Sequence, residues 1–266
     1  MAETENMADM EYAVVQGVKV PKMGLGTYKM RGSGCQKAVE AALDMGYRHI
    51  DTAEIYRNER EIGQAIGASP VDREELFLVS KVWSNHFRED QVVQACEDSL
   101  RRLGTDYLDL YLIHWPSDEV PVEETLAGMD RLAEAGKTRH IGVSNFPVDQ
   151  LEEARRIAEH PIFCDQVKYH VRHRQDDLVS YCQGEDVLLT AYSPLEKARL
   201  QGQSTLGKIG SKYGKTEMQV ALRWLIEQEK VVTIPKASSE SHQRENLEIF
   251  DFELTEEDRE AIDSIG

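Results

Sequence analysis

Gly46-Tyr47-Arg48-His49-Ile50-Asp51-Thr52-Ala53-Glu54-Ile55-Tyr56 contains a short strand-like run, residues 49–53, that leads into polar side chains. Two further apolar runs follow: residues 76–82, with Lys81 near the end, and residues 107–114, which end on His114. Short apolar runs of this kind read as buried strands, and the segments between them carry helical spacing. Strands that alternate with helices build a parallel sheet whose carboxyl ends converge on one face. Asp51, Tyr56, Lys81 and His114 are therefore expected to meet in one pocket.

The same alternation runs through the chain. Strand 22–28 precedes helix 34–45, where Ala38, Val39, Ala42 and Leu43 recur at helical spacing. Strand 49–53 precedes helix 58–66, strand 76–82 helix 88–103, and strand 107–114 helix 122–134. Strand 139–144 leads to helix 148–159, 164–169 to 176–182, 187–192 to 216–229, and 231–235 to 241–247. Eight strand–helix units predict a closed (β/α)8 TIM barrel over residues 11–266, a single α/β domain. Residues 12–20, with Gly17 near the middle, predict a β-hairpin plugging the barrel bottom. Thr255 is expected to cap a last helix over 256–265. Residues 1–10 read as a disordered tail. An open doubly wound sheet fits less well: Gly24-Leu25-Gly26 begins a dinucleotide fingerprint, but Lys29 occupies its third glycine position.

The chain has 266 residues, 41% hydrophobic and 30% charged, which suits a soluble globular protein with a large core. No apolar run is long enough for a membrane span, and the acidic N-terminus is unlike a secretory signal. Cys35, Cys96, Cys164 and Cys182 are scattered, as expected of reduced thiols in the cytoplasm. Lys and Arg total 31 against 48 Asp and Glu, a net charge of −17, which repels nucleic acid.

Asp51, Tyr56, Lys81 and His114 together suit carbonyl reduction, in which the developing alkoxide needs a proton donor. Tyrosine is a weak acid, with a free pKa of about 10. A nearby Lys81 ammonium is expected to lower it. Asp51 would keep Lys81 charged and aimed, and His114 would orient the carbonyl. His49 and Asp51 also form an HxD pair, but the other histidines offer no ordered ligand set, so no metal is expected.

Three ordered segments resemble the signatures of the aldo-keto reductase family. They are Gly46–Ala53 with Glu59 and Ile62-Gly63, Arg139–Phe146, and Ile234-Pro235-Lys236 through Glu245-Asn246. The resemblance runs from about Val20 to the end, and it implies that Asp51, Tyr56, Lys81 and His114 are a catalytic tetrad with Tyr56 as general acid. It implies that Ser144, Asn145 and Gln166 hydrogen-bond a nicotinamide carboxamide while Tyr192 stacks on the ring. Ser193 and Leu195 would contact the pyrophosphate. Lys236, Ser238, His242, Glu245 and Asn246 would complete the cofactor site. Tyr28, Trp83 and Trp115 would line the carbonyl pocket.

Two positions depart from the third signature. Ala237 stands where Ser or Thr is usual, and His242 where an arginine is usual near the adenosine 2′-phosphate. Arg244 lies about 200° round a helix from that position. NADP(H) is the favoured cofactor, with NAD(H) the alternative. The short loop 115–123 suits the open rim of prokaryotic members and a small carbonyl substrate. A monomer is expected. A non-catalytic sensor or subunit on the same barrel is the alternative reading, and the complete tetrad weighs against it.

The acidic balance fits either a high-salt cytoplasm or an ordinary acidic bacterial enzyme. Crowded carboxylates repel one another at low ionic strength. At about 1 M salt the Debye length falls to about 3 Å, which screens most of that repulsion. On the high-salt reading, the melting temperature rises from low to molar KCl. A flat or falling melting curve excludes it.

Overall fold

The computed structural model describes residues 10–196, 200 and 202–265. Of the tail expected over residues 1–10, all but Met10 lies outside the described residues. The chain opens with the expected hairpin: β1 (Tyr12–Val15) pairs antiparallel with β2 (Val18–Pro21), Ala13 opposite Val20. The two turn residues, Gln16 and Gly17, have φ of 48° and 79°. Positive φ at both central residues matches the twist of the flanking strands, and glycine adopts it without strain.

Eight strands follow: β3 (Leu25–Gly26), β4 (His49–Asp51), β5 (Phe77–Val82), β6 (Leu108–Ile113), β7 (Thr138–Ser144), β8 (Ile162–Lys168), β9 (Leu188–Tyr192) and β10 (Val231–Thr233). Each pairs in parallel with the next in the chain. The seam closes where Met23 bridges Thr233, with Gly24 N–H bonded to Thr233 O at 2.8 Å and Thr233 N–H to Lys22 O at 2.9 Å. The first strand is shorter than the 22–28 expected, because its edge is held by these isolated bonds. Gly26 permits the approach, since a Cβ there would strike the Ile234 carbonyl.

The helices are α1 (Gly32–Asp44), α2 (Glu59–Ala68), α3 (Glu89–Leu103), α4 (Val122–Glu134), α5 (Val148–Ile157), α6 (Asp176–Gly184), α7 (Ser204–Tyr213), α8 (Glu217–Ile226), α9 (Glu240–Leu247) and α10 (Glu256–Asp263). Thr255 caps α10 as expected, accepting Asp258 N–H at 3.2 Å. Helix α7 was not anticipated. Gly207 and Gly210 weaken its intrinsic propensity, so buried Leu206 and Ile209, with a Gln203 cap, hold it in place. Among the described residues, no helix is long and apolar enough to cross a membrane.

Side chains alternate across each strand. Phe77, Val79, Leu110, Leu112, Cys164, Leu188 and Val232 form an inner cluster with Ala13, Val15 and Val20 of the hairpin. The hairpin thus seals the amino-terminal end of the barrel. Continuing the alternation along β5, β6, β8 and β9 brings Lys81, His114, Gln166 and Tyr192 to the opposite mouth.

Candidate active site

Lys81 is fully buried, its Nζ 2.7 Å from Asp51 Oδ1 and 2.8 Å from the Thr52 carbonyl. Asp51 Oδ2 accepts Gln166 Nε2–H at 2.8 Å, so both carboxylate oxygens are engaged. Burial pushes the Lys81 ammonium below the ordinary lysine range, and Asp51 works against that shift. Tyr56 ends the 3-10 turn Glu54–Tyr56, with its N–H on Ala53 O at 3.0 Å. Its ring centroid is 5.3 Å from Lys81 Nζ and 5.6 Å from the His114 ring. The structure therefore brings Asp51, Tyr56, Lys81 and His114 together.

The electrostatics differ from the expectation at Tyr56. Burial first, and the Asp51 carboxylate second, raise the phenol above the ordinary tyrosine value instead of lowering it. The Lys81 ammonium lies 5.3 Å from the ring centroid with protons directed to Asp51 and Thr52, and in the resting site desolvation outweighs it. Burial and the Lys81 charge push His114 down to about 3, which keeps the imidazole neutral. Its Nδ1 is buried without a hydrogen-bond partner.

Ser144 and Gln166 are register partners on β7 and β8, and Ser144 Oγ–H bonds Gln166 O at 2.7 Å. Asn145 Nδ2 donates to His114 O at 3.1 Å and Ser144 Oγ at 3.0 Å. The Tyr192 hydroxyl donates to Asn145 Oδ1 at 2.8 Å. Positive φ at Lys29 (64°), Arg57 (54°), Asn145 (64°), Ser193 (51°) and Glu196 (46°) places strained backbone on loops leaving the strand ends. Strain of this kind concentrates at functional sites. With Gln166 Nε2 committed to Asp51, its Oε1 can accept from an amide. The hydroxyl, amides and half-buried Tyr192 ring suit a planar carboxamide-bearing ring, so the donor set fits a nicotinamide.

Ser193 and Leu195 lie on the loop beyond β9, both part-buried. Lys236, Ser238 and His242 are exposed around the start of α9, where Ser239 Oγ accepts His242 N–H at 3.4 Å. Glu245 accepts the Thr216 hydroxyl at 2.9 Å, and Asn246 is buried beside the Tyr47 hydroxyl. These two contacts tie α9 to its neighbours. Tyr28 is 53% exposed and its ring lies 5.1 Å from that of Tyr56. Trp83 meets the His114 ring edge-on at 5.1 Å, and Trp115 is 45% exposed.

Three neighbours went unread in the sequence. Asn58 is fully buried; its Oδ1 accepts the Thr52 hydroxyl at 2.7 Å and its Nδ2 donates to Thr27 O at 2.9 Å. Glu54 accepts the backbone N–H of Trp83. Asp165 is wholly buried on β8, and its carboxyl group faces the backbone amides of Phe146 and Asn145 without a well-formed hydrogen bond. No spacing rule signals these, because each acts through a partner on another loop or strand.

Comparison with known proteins matches residues 22–266 to the Aldo/keto reductase family. A glyoxal reductase of Bacillus subtilis (strain 168) is 45% identical over 251 residues, spanning 94% of this chain and 90% of that protein. A thermostable aldo-keto reductase solved with the inhibitor epalrestat superimposes with TM-score 0.93 at 43% identity, covering 97% of this chain and 100% of that one. An aldo-keto reductase complexed with NADPH gives TM-score 0.91 at 34% identity, with 97% and 88% coverage.

Asp165 permits a test of the buried electrostatics beside this site. Burial raises its carboxyl well above the ordinary aspartate value, and the backbone amides of Phe146 and Asn145 offset this only partly. A raised folded-state pKa means that stability is lost as pH climbs from the unfolded value, about 3.9, through the folded one. Asp165→Asn removes that loss. Its melting temperature is expected to exceed wild type at pH 7 by a few degrees, with the gain shrinking toward pH 4. A lower melting temperature at pH 7 would contradict this.

Proposed function

We propose that this chain, which belongs to the aldo-keto reductase family, reduces small aldehydes and ketones with NADP(H), using Tyr56 as proton donor. The convergence of Asp51, Tyr56, Lys81 and His114 at one barrel mouth carries the reading. The nicotinamide cofactor supplies hydride when bound. Ser144, Asn145 and Gln166 hold its carboxamide, Tyr192 backs the ring, and Ser193 and Leu195 meet the pyrophosphate. Fixed amide partners and a stacking face orient a flat ring, which removes much of the entropic cost of reaction.

The neutral His114 donates from Nε2 to the carbonyl oxygen and sets its direction. Tyr56 donates its hydroxyl proton to the same oxygen as negative charge develops there. Lys81 lies beside the Tyr56 ring and stabilises the phenolate that remains. Asp51 keeps Lys81 protonated despite burial. A phenol held neutral in the resting site is ready to act as an acid. The aromatic walls Tyr28, Trp83 and Trp115 accept an apolar or planar substrate flank, and the likeness to a glyoxal reductase favours short aldehydes.

Lys236 reads the 2′-phosphate, with weaker help from Ser238, His242 or Arg244. The four buried free cysteines suit a reducing cytoplasm. The exposed large apolar side chains among the described residues are few, and Tyr28, Ile55 and Trp115 belong to the mouth or its loops, which suits a monomer.

Tyr56→Phe removes only the hydroxyl. Turnover of a short aldehyde with NADPH is expected to fall about 10²–10⁴-fold, the worth of a positioned acid, while the NADPH dissociation constant stays near wild type. Near-normal turnover would remove Tyr56 from the role.

Lys236→Ala is expected to weaken NADPH about tenfold and NADH little, since only the former loses a charge-assisted contact. Equal losses for the two cofactors would show that Lys236 does not read the phosphate.

A further inference from the structure

One carboxylate joins the loop that carries Tyr56 to the loop beyond β5. Glu54 Oε1 accepts the backbone N–H of Trp83, and Glu54 Oε2 lies 3.0 Å from His86 Nδ1. The Glu54 carboxylate can only accept, so it faces a proton on His86 Nδ1, and the Asn85 amide lies 3.1 Å from His86 Nε2. His86 N–H also bonds Trp83 O at 2.9 Å, so the turn Ser84–His86 wraps around the carboxylate. The Glu54 side chain is only 10% exposed, so Trp83 N–H cannot readily exchange this acceptor for water.

The two rings that face His114 stand on either side of this link. Tyr56 lies two residues beyond Glu54 on the same 3-10 turn, with its ring 5.6 Å from His114. Trp83 lies two residues beyond Lys81, with its ring 5.1 Å from His114. A shift of either turn would change the slot between the phenol and the indole, where the carbonyl oxygen must approach Tyr56 and His114 together.

We propose that Glu54 is a positioning residue that sets the separation of Tyr56 and Trp83 above His114 by holding the Trp83 amide and the His86 imidazole. It touches neither substrate nor cofactor. The proposal rests on the reading of Tyr56 as proton donor. That reading fails if Tyr56→Phe stays active, whereas this one fails on the Glu54 and His86 variants.

Glu54→Ala and Glu54→Gln are assayed in the full chain with 4-nitrobenzaldehyde, using NADPH with and without deuterium at the transferred position. A misplacement of about 1 Å can cost about 10²-fold. For Glu54→Ala the expected result is a 10- to 100-fold loss in kcat/KM, with KM raised and kcat lowered. Its deuterium isotope effect on kcat is expected to rise as chemistry becomes slower, while the NADPH dissociation constant stays within twofold. Glu54→Gln keeps an acceptor for Trp83 N–H and is expected to recover most of the loss. Should Glu54→Ala fail to fold, His86→Ala at a half-exposed site carries the test, with a smaller shift in the same direction. Three results would overturn the proposal: kcat/KM within threefold of wild type in Glu54→Ala, unchanged kinetics in His86→Ala, or a lowered melting temperature without a change in KM or isotope effect.

Discussion

Lys81 has no exposure to solvent, and its ammonium is held between Asp51 Oδ1 at 2.7 Å and the Thr52 carbonyl at 2.8 Å. Removing an ammonium and a carboxylate from water costs several kcal/mol per ion, even after the surroundings relax. The pair persists because both carboxylate oxygens are engaged, Asp51 Oδ2 by Gln166 at 2.8 Å, and the ammonium has a second acceptor in Thr52 O. Strands β4, β5 and β8 must therefore keep their register for the charges to remain compensated. A one-residue slip would turn Lys81 out of the barrel and leave Asp51 uncompensated inside it. The ion pair constrains the barrel mouth as much as the barrel holds the ion pair.

Around this pair the loops are tied by side chains acting on distant backbone. Asn58 joins the turn after Tyr56 to the turn after β3 through Thr27 O at 2.9 Å and Met30 O at 3.3 Å. Glu54 joins the Tyr56 turn to Trp83. Asn145 joins β7 to the end of β6 through His114 O at 3.1 Å. Irregular loops leave backbone groups that must find partners when buried, and here several of those partners come from the next strand's loop. Mouth geometry is thereby passed around the barrel.

Buried and half-buried charges away from the mouth are compensated in clusters. Arg73 and Arg139 both lie over the Tyr107 ring, at 4.1 and 4.2 Å from its centroid, and both pair with Asp109. Arg223 likewise pairs with both Glu11 and Glu227. The first cluster sets two cations around one carboxylate, whereas in the second a single cation serves two carboxylates. The second arrangement suits a chain with 31 basic against 48 acidic residues.

By itself the sequence determined the barrel, the hairpin below it and the meeting of Asp51, Tyr56, Lys81 and His114. These follow from local periodicity and from the rule that parallel strands present their carboxyl ends together. Cofactor contacts such as Tyr192 and Gln166 were legible only through resemblance, because a lone aromatic or amide at a strand end reads equally well as packing. Helix α7 stayed hidden because its glycines weaken local propensity, and tertiary contacts override that. Only the tertiary structure decided the roles that depend on burial and distant partners. It made Glu54 and Asn58 ties between loops, left Asp165 without a well-formed hydrogen bond, and raised the Tyr56 phenol where the expected nearness of Lys81 in space suggested lowering. The reason is physical: a residue's type sets what it can donate or accept, whereas desolvation and the direction of each neighbour's protons exist only once the chain has closed around it.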